Sequence, residues 1–257
     1  MFRKAAVLLS LLVLAASVHA QALRIAAAAD LQFAMNDLSG QFEKKTATKV
    51  AVSYGSSGIF RTQIENGAPF DVFFSADALY PQQLVSAGVA NGQSLFVYAQ
   101  GHWVLWAPSG GNLHLAERGF EALKDARVAK IAIANPEQAP YGRAAVRALQ
   151  KAGFYEPIRS KLVYGENISQ AAQFAQSDST QVEIIALSLT FAESMKGGGG
   201  WEIPEDLYPP IQQVAVIIDS SANKTAANAF VEFVKSQEGR KTLSKYGLTP
   251  PGSSPKP

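Results

Sequence analysis

Residues 52–77, VSYGSSGIFRTQIENGAPFDVFFSAD, contain the pattern that decides the fold. The apolar stretch 49–54 predicts a strand, the GSSG at 55–58 a tight turn, and 59–65 a helix. A second apolar stretch at 71–75, DVFFS, predicts the next strand. A strand, a helix and a second strand in this order are typical of α/β folds with largely parallel sheets.

The same alternation of apolar strands and helical stretches extends in both directions from this segment. Further strands are predicted at residues 23–28, 101–108, 130–134, 161–164, 182–187 and 212–218, with helices between them and two helices at the C-terminus. Four consecutive glycines at 197–200 are interpreted as a surface turn.

The order of these elements predicts two α/β lobes of similar size. The C-terminal helices have no partner in the sequence of the second lobe, so we expect them to complete the first. Lobe one is predicted to comprise residues 21–100 and 214–257, and lobe two residues 101–213. The two chain crossings would form a hinge, and a cleft between hinged lobes is a usual place for a ligand site.

The composition limits the chemistry that this chain can perform. It has 257 residues, of which 47% are hydrophobic, which is enough for a large core and too much for a disordered chain. The absence of Cys excludes a disulfide framework, a thiolate nucleophile, a cysteine zinc site and a lipidated N-terminal cysteine.

The N-terminus, residues 1–20, has the pattern of a secretory signal peptide. Arg3 and Lys4 precede an apolar run at 5–16, and small residues before Gln21 suit cleavage there. A membrane anchor is the alternative, but the run is shorter than the ~20 residues that span a bilayer. We therefore expect export to the periplasm without a lipid anchor.

Removal of residues 1–20 would leave a mature chain with no net formal charge. The full chain has 23 basic and 21 acidic residues, and both Arg3 and Lys4 would be lost. The remaining Lys and Arg residues form no basic stripe, which is the usual mark of a nucleic-acid binder. No nucleic-acid partner is expected, and a bound anion would not be held by overall charge.

Four turns share one design, in which a strand ends, the chain turns sharply and a helix begins. They are residues 28–30, 55–58, 140–142 and 166–169. In an open α/β sheet such turns gather at the carboxyl ends of the strands, where free backbone N–H groups and helix dipoles favour an anion. Hydroxyls of Ser56 or Ser57 can add donors.

Ordinary helix capping is the alternative reading of the same turns. Asp30, Ser57 and Ser169 are all acceptable N-cap residues, and every α/β protein contains turns of this kind. Because a carboxylate repels an anion, Asp30 is interpreted as the cap of its own helix, with nearby backbone amides facing the ligand.

Catalytic motifs are largely missing. The mature chain has only His102 and His114, neither of them near the serines at 55–58, and GSSG lacks the spacing of a nucleophile elbow. No P-loop, dinucleotide fingerprint or HExxH motif occurs. The sequence therefore predicts a protein that is not an enzyme and uses no cofactor.

Charged residues near the turns have plain interpretations. Glu65, Asp71 and Asp77 are read as helix ends and caps rather than as ligands of a metal cation. Arg143 and Arg147 lie one helical turn apart and are read as a solvated face rather than a phosphate clamp.

Six blocks of the chain resemble the periplasmic molybdate-binding proteins of ABC importers, the ModA family. The blocks cover nearly the whole mature chain in the expected order: IAAAADLQFAMNDL (25–38), VSYGSSGIFRTQIENGAPFDVFFSAD (52–77), IAIANPEQAPYGRAAVRAL (131–149), LVYGENISQAAQF (162–174), YPPIQQVAVI (208–217) and SQEGRKTLSKYGL (236–248). The GSSG and ENISQA blocks together are specific to this family.

The resemblance implies a type II periplasmic-binding fold, with two hinged lobes that close on molybdate or tungstate. Carried over by motif, the oxyanion contacts are the backbone N–H groups of Ala29 and Asp30, the hydroxyl and N–H of Ser57, and the N–H groups of Tyr141 and Ile168. The resemblance also implies a monomer that delivers the oxyanion to an ABC permease in the inner membrane.

Two positions depart from the family pattern. Ala29 stands where many relatives have a serine hydroxyl, and Ala186 stands where some have a tyrosine hydroxyl. Alternatives to molybdate capture are a carrier for another oxyanion such as sulfate or phosphate, a periplasmic hydrolase that uses Ser57, and the ligand-sensing domain of a regulator.

Overall fold

The computed structural model describes residues 22–108, 112–177 and 179–253, so the predicted signal peptide lies outside the described residues. The strands, in chain order, are β1 (Leu23–Ala28), β2 (Val50–Gly55), β3 (Val72–Ser75), β4 (Phe96–Gly101), β5 (Trp103–Ala107), β6 (Ile131–Ala134), β7 (Leu162–Gly165), β8 (Val182–Ala186), β9 (Gly199–Glu202) and β10 (Ile211–Ile217). The helices are α1 (Gln32–Thr46), α2 (Ser57–Glu65), α3 (Leu79–Ser86), α4 (Leu115–Arg118), α5 (Pro140–Lys151), α6 (Tyr155–Ile158), α7 (Ile168–Gln176), α8 (Lys224–Lys235) and α9 (Gln237–Lys245).

The strands form two separate five-stranded sheets, one in each lobe. The first has the order β2-β1-β3-β10-β4 and the second the order β7-β6-β8-β5-β9. In each sheet three neighbouring strands are parallel to one another. The fourth strand, β10 in the first sheet and β5 in the second, is antiparallel to both of its neighbours. The predicted fold class, two α/β lobes joined by two crossings, is confirmed.

The first lobe is built around a stripe of apolar residues on α1. Leu31, Met35, Leu38 and Phe42, which the sequence places on one helix face, are each at most 2% exposed. This face packs under the first sheet and against the C-terminal helices α8 and α9, where the rings of Phe42 and Phe230 meet edge to face at 5.1 Å. The final helices therefore pack on the first lobe.

The two lobes are connected by two short crossings that lie side by side. One runs through His102, between β4 and β5, and the other joins β9 to β10. Trp103, the first residue of β5 after one crossing, and Tyr208 of the other crossing stack with ring centroids 4.4 Å apart. The stacked rings join the two crossings into one hinge region.

The glycine-rich segment differs from its interpretation as a surface turn. Gly199 and Gly200 belong to β9, the edge strand that pairs with β5. A Cβ on Gly200 would lie 2.5 Å from the side chain of Val104, so only glycine lets this strand approach β5 so closely. Among the residues that the structure describes, no helix is both long and apolar enough to cross a bilayer.

Candidate functional site

A small cavity of about 10 Å³ lies where the two lobes meet. Its volume is close to what a single water-sized sphere occupies, so it suits a ligand of few atoms. All five residues predicted to bind an oxyanion line it. The complete lining is Ala28, Ala29, Asp30, Gly55, Ser56, Ser57, Ala76, Ala139, Pro140, Tyr141, Asn167 and Ile168.

Four helical starts converge on this cavity, two from each lobe. Lobe one supplies the 3₁₀ turn Ala29–Leu31 that precedes α1, and Ser57, the first residue of α2. Lobe two supplies Tyr141 near the start of α5 and Ile168 at the start of α7. The first N–H groups of a helix lack intrahelical partners and carry the positive end of its dipole, so the convergence favours an anion.

The two neighbouring serines, which the sequence leaves equivalent, have different roles. The Ser57 Oγ accepts a hydrogen bond from the N–H of Ala76 at 3.0 Å, and its side chain is buried. Because this bond uses an oxygen lone pair, the hydroxyl proton of Ser57 is available to a ligand. The hydroxyl of Ser56 instead donates to the carbonyl of Gln138 in the other lobe at 2.6 Å, so it is already engaged.

Asp30 does not cap its own helix, contrary to the interpretation from the sequence. Its buried Oδ2 accepts hydrogen bonds from the hydroxyl of Tyr141 at 3.0 Å and from Nε2 of Gln213 at 2.5 Å. Burial raises the pKa of Asp30 to about 6, while the bonds from Gln213 and Tyr141 act in the opposite direction. A buried carboxylate needs hydrogen-bond donors, and here side chains from distant parts of the chain supply them.

The rim of the cavity is closed by direct contacts between the lobes. The backbone carbonyl of Gln138 in lobe two accepts hydrogen bonds from the Ser56 hydroxyl and from the N–H of Gly58, the latter at 3.0 Å. On the opposite side, Ser169 and Ser188 of lobe two donate to the carbonyls of Ala29 and Asp30 at 3.0 and 2.7 Å. These contacts hold the lobes together in a closed arrangement.

Arg143 is a second rim contact and not the solvated residue that the sequence suggested. Its guanidinium pairs with Asp77 of lobe one at 2.5 Å and donates to the hydroxyl of Tyr80 at 2.7 Å. The charge is therefore compensated across the cleft. Arg143 does not line the cavity. Its partner Asp77 also accepts a hydrogen bond from the N–H of Tyr80 at the start of α3.

The other charged and catalytic candidates lie away from the cavity. Asp71 accepts hydrogen bonds from Arg24 N and from the hydroxyl of Ser221, at 2.7 Å each. Neither His102 nor His114 lines the cavity. Within the described ranges, no group of three or more His, Asp or Glu residues is arranged to hold a metal ion.

The lining therefore offers hydrogen-bond donors without a formal positive charge. None of the residues around the cavity is Lys, Arg or His. Each charge-assisted hydrogen bond from a neutral donor to an anion contributes about 1.5–3 kcal/mol, so several donors together offset the dehydration of a small dianion. The arrangement can bind a compact oxyanion, and no residue in the lining can serve as a general base for Ser57 other than Asp30.

Two α/β lobes, a double crossing and a small cavity between helix starts define a two-lobed solute-binding protein. The chain belongs to the family of bacterial extracellular solute-binding proteins, whose sequence model matches residues 23–249. The match spans both lobes and both crossings.

Curated relatives within this family are similar over almost their entire length. The chain is 40% identical over 235 residues to the molybdate-binding protein ModA of Azotobacter vinelandii, which covers 91% of this chain and 92% of the relative. It is also 40% identical over 222 residues to ModA of Rhodobacter capsulatus, with 86% of each chain covered.

Solved structures agree with this relationship. The periplasmic molybdate-binding protein of Azotobacter vinelandii superposes with a TM-score of 0.83 at 33% identity, covering 89% of this chain and 99% of that one. The sulfate-binding protein SubI of Mycobacterium tuberculosis reaches a TM-score of 0.76 at 15% identity, covering 90% of this chain and 87% of that one, and so shares the fold.

Proposed function

We propose that this chain captures molybdate, and also tungstate, in the periplasm and delivers it to an ABC permease of the inner membrane. It acts as a monomer and without chemical conversion of the ligand, a metal cation or a cofactor. Lobe one, residues 21–100 and 214–257, and lobe two, residues 101–213, open and close as hinged units. The closed shape is what the permease would recognise.

The convergence of four helical starts on one cavity without a Lys, Arg or His in its lining is the observation that carries this proposal. We assign the ligand contacts to the N–H groups of Ala29, Asp30, Ser57, Tyr141 and Ile168, and to the hydroxyl of Ser57. The 40% identity with two molybdate-binding relatives supports molybdate over other small anions. Ala29 has no hydroxyl, so the first turn contributes through its backbone.

Selection among tetrahedral dianions would rest on size. Molybdate and sulfate carry the same charge and the same kind of acceptor oxygen, so the type of hydrogen bond does not separate them. Donors fixed on rigid helix starts at the spacing of the longer metal–oxygen bond leave sulfate with stretched, weaker contacts.

A second candidate ligand is a protonated oxyanion such as hydrogen phosphate. The buried Oδ1 of Asp30, beside the cavity, has no hydrogen-bond partner among the described residues. An ionised carboxylate at that position can accept the proton of hydrogen phosphate, which a fully deprotonated molybdate does not carry.

Calorimetric titration of the mature chain, beginning at Gln21, separates these ligands. We expect molybdate and tungstate to bind at one site per chain, and sulfate and phosphate to bind at least about 100-fold more weakly, a difference of roughly 2.7 kcal/mol. Tighter binding of sulfate or phosphate than of molybdate would contradict the proposal.

Ligand should also stabilise the fold against heat. Binding to the native state alone adds about 2.7 kcal/mol when the free ligand is at 100 times its Kd. For a chain of this size we expect molybdate to raise the Tm by roughly 5–10 °C in a calorimetric scan. An unchanged Tm at millimolar molybdate would contradict capture of this ligand.

Substitution of Ser57 by alanine tests the assigned hydroxyl contact. We expect Ser57→Ala to weaken molybdate binding by roughly 1–3 kcal/mol, because one charge-assisted hydrogen bond is lost. Ser53→Ala, at an exposed position of the preceding strand, is the matched control and should bind as the wild type does. Wild-type affinity in Ser57→Ala, measured by the same titration, would contradict the assignment of this hydroxyl to the ligand.

A further inference from the structure

A cluster of three polar side chains joins lobe one, lobe two and the hinge. Gln213 of β10 is completely buried in a strand, IQQVAVI, whose other buried residues are apolar. Its Nε2 donates to Oδ2 of Asp30 at 2.5 Å and to the hydroxyl oxygen of Tyr141 at 2.9 Å, which uses both amide hydrogens. The hydroxyl of Tyr141 in turn donates to the same Oδ2 at 3.0 Å.

The neighbouring strands β4 and β10 leave room for this cluster. Gly101 ends β4, the neighbour of β10, and a Cβ there would lie 2.2 Å from the hydroxyl of Tyr141 and 2.8 Å from Nε2 of Gln213. The pairing of β10 with β4 also shifts register between Gln213 and Val214. A register shift of this kind redirects a side chain, and here the redirected residue is the buried glutamine.

The partners of Gln213 stand on opposite sides of the cavity. Asp30 belongs to a helical start of lobe one and Tyr141 to a helical start of lobe two, and both residues line the cavity. Gln213 itself is not part of the lining. Its contacts therefore link a helical start of lobe one to a helical start of lobe two when the cleft is closed.

Gln213 also moderates the charge of the carboxylate beside the cavity. A buried carboxylate repels an incoming dianion unless donors compensate it, and Asp30 receives its side-chain hydrogen bonds from Tyr141 and Gln213. Loss of Gln213 would leave Tyr141 as the remaining side-chain donor. Both the distance between the lobes and the electrostatic repulsion between Asp30 and the ligand then change.

We propose that Gln213 is a positioning residue for oxyanion capture, which sets the closed separation of the lobes by joining Asp30 to Tyr141. The proposal rests on the proposed function, because the donors that it positions are those assigned to the oxyanion. Gln213 acts through these two residues and does not contact the ligand.

Titration of Gln213→Leu with molybdate tests the proposal. We expect the Kd to rise roughly 10-fold, because the hydrogen bond from Gln213 to the hydroxyl of Tyr141 joins the lobes only in the closed state. The matched control is Gln212→Leu, the neighbouring glutamine with an exposed side chain, which should retain the wild-type Kd. Wild-type affinity in Gln213→Leu would overturn the proposal.

A distance measurement distinguishes positioning from a purely structural role. Because the chain has no Cys, spin labels can be attached selectively at Ser86→Cys in lobe one and Gln150→Cys in lobe two, both exposed. At saturating molybdate we expect one narrow distance in the otherwise wild-type protein, and a longer or broader one in Gln213→Leu. Identical bound-state distances with a lower Tm would show a structural role and overturn the proposal.

Tyr141→Phe keeps the test decisive if Gln213→Leu does not fold. It removes a single hydroxyl from the same cluster, and we expect the same direction of change in Kd and in label distance. Wild-type values of both in Tyr141→Phe would overturn the proposal. Failure of the wild-type chain itself to bind molybdate would instead contradict the proposed function.

Discussion

Gly58→Ala is expected to weaken molybdate binding by roughly 5- to 150-fold while leaving the ligand-free protein as stable as the wild type. A Cβ at Gly58 would lie 2.6 Å from the backbone carbonyl oxygen of Gln138, which belongs to the other lobe, and 2.7 Å from the hydroxyl of Tyr80. The ring of Tyr80 can move aside when the lobes part, whereas the carbonyl belongs to the backbone that closes the rim.

The expected loss of affinity follows from the state of the protein in which the overlap occurs. Overpacking of this kind costs about 1–3 kcal/mol, which corresponds to the quoted range in Kd. Because the overlap with Gln138 exists only when the lobes are closed, the cost appears in binding and not in the stability of the open form. The apparent affinity falls with the fraction of molecules that can close.

Gly40→Ala provides the matched control for this experiment. Gly40 lies within α1, and a Cβ there would meet nothing within 4 Å. Alanine in a helix interior stabilises the helix relative to glycine by up to about 1 kcal/mol, so the control should have an equal or higher Tm and an unchanged Kd. A wild-type Kd in Gly58→Ala would show that capture does not require this closure.

Glu183→Gln is expected to remove most of the decline in folding stability between pH 5 and pH 8. Glu183 lies in β8 with a fully buried side chain, and its Oε1 accepts a hydrogen bond from the hydroxyl of Thr180 at 3.0 Å. Its Oε2 has no partner among the described residues. Burial raises the pKa of Glu183 to about 8 from an ordinary value of 4.5, with the bond from Thr180 opposing the shift.

The direction of the pH dependence follows from this raised pKa. The folded protein keeps the proton on Glu183 where the unfolded chain has released it, so stability is fully present below about pH 4.5 and is lost as the pH rises towards 8. The slope contributed by one such group is at most about 1.4 kcal/mol per pH unit. Glu183 would contribute a loss on the order of 3 kcal/mol across the interval, which the glutamine variant would not show, while the smaller contribution of Asp30 would remain in both proteins.

Urea unfolding of both proteins at several pH values measures the two slopes. Glu156→Gln, which changes an exposed glutamate of the same lobe, is the matched control and should retain the slope of the wild type. Equal slopes in the wild type and Glu183→Gln would show that Glu183 is ionised in the folded protein.

The sequence predicts the polar turns well because their signals are local. Each of the four turns couples the end of an apolar strand to a helix start within a few residues, and all four meet at the cavity in the structure. The apolar stripe of α1 and the packing of α8 and α9 on lobe one also follow from periodicity and from the lack of another partner.

Two strands escape prediction because tertiary packing outweighs their local pattern. Gly199 and Gly200 are turn residues by composition, yet they belong to an edge strand that pairs with β5, where Val104 leaves no room for a side chain at Gly200. The strand β4, Phe96–Gly101, is separated from β5 only by His102, where the chain crosses between the lobes. The sequence predicts one strand here, at 101–108, and the structure has two.

The hydrogen-bond partners within the site cannot be read from sequence because they are far apart along the chain. Asp30 meets Tyr141 and Gln213 across separations of 111 and 183 residues. A glutamine at the inward-facing position 213 of the largely apolar run 211–217 was the available signal for a buried polar contact. Ser56 and Ser57 have the same side chain and differ in their hydrogen-bond partners, Gln138 and Ala76. Arg143 pairs with Asp77 across the cleft, a contact that requires the lobes to be closed.

A crystal structure of the mature protein grown with molybdate tests the central claim most directly. The account predicts a single molybdenum anomalous peak in the interlobe cavity, with the oxyanion held by the N–H groups of Ser57, Tyr141 and Ile168 and by the Ser57 hydroxyl. No Lys or Arg side chain would touch it. An empty cavity, or a molybdate whose charge is neutralised by Lys or Arg, would contradict the account.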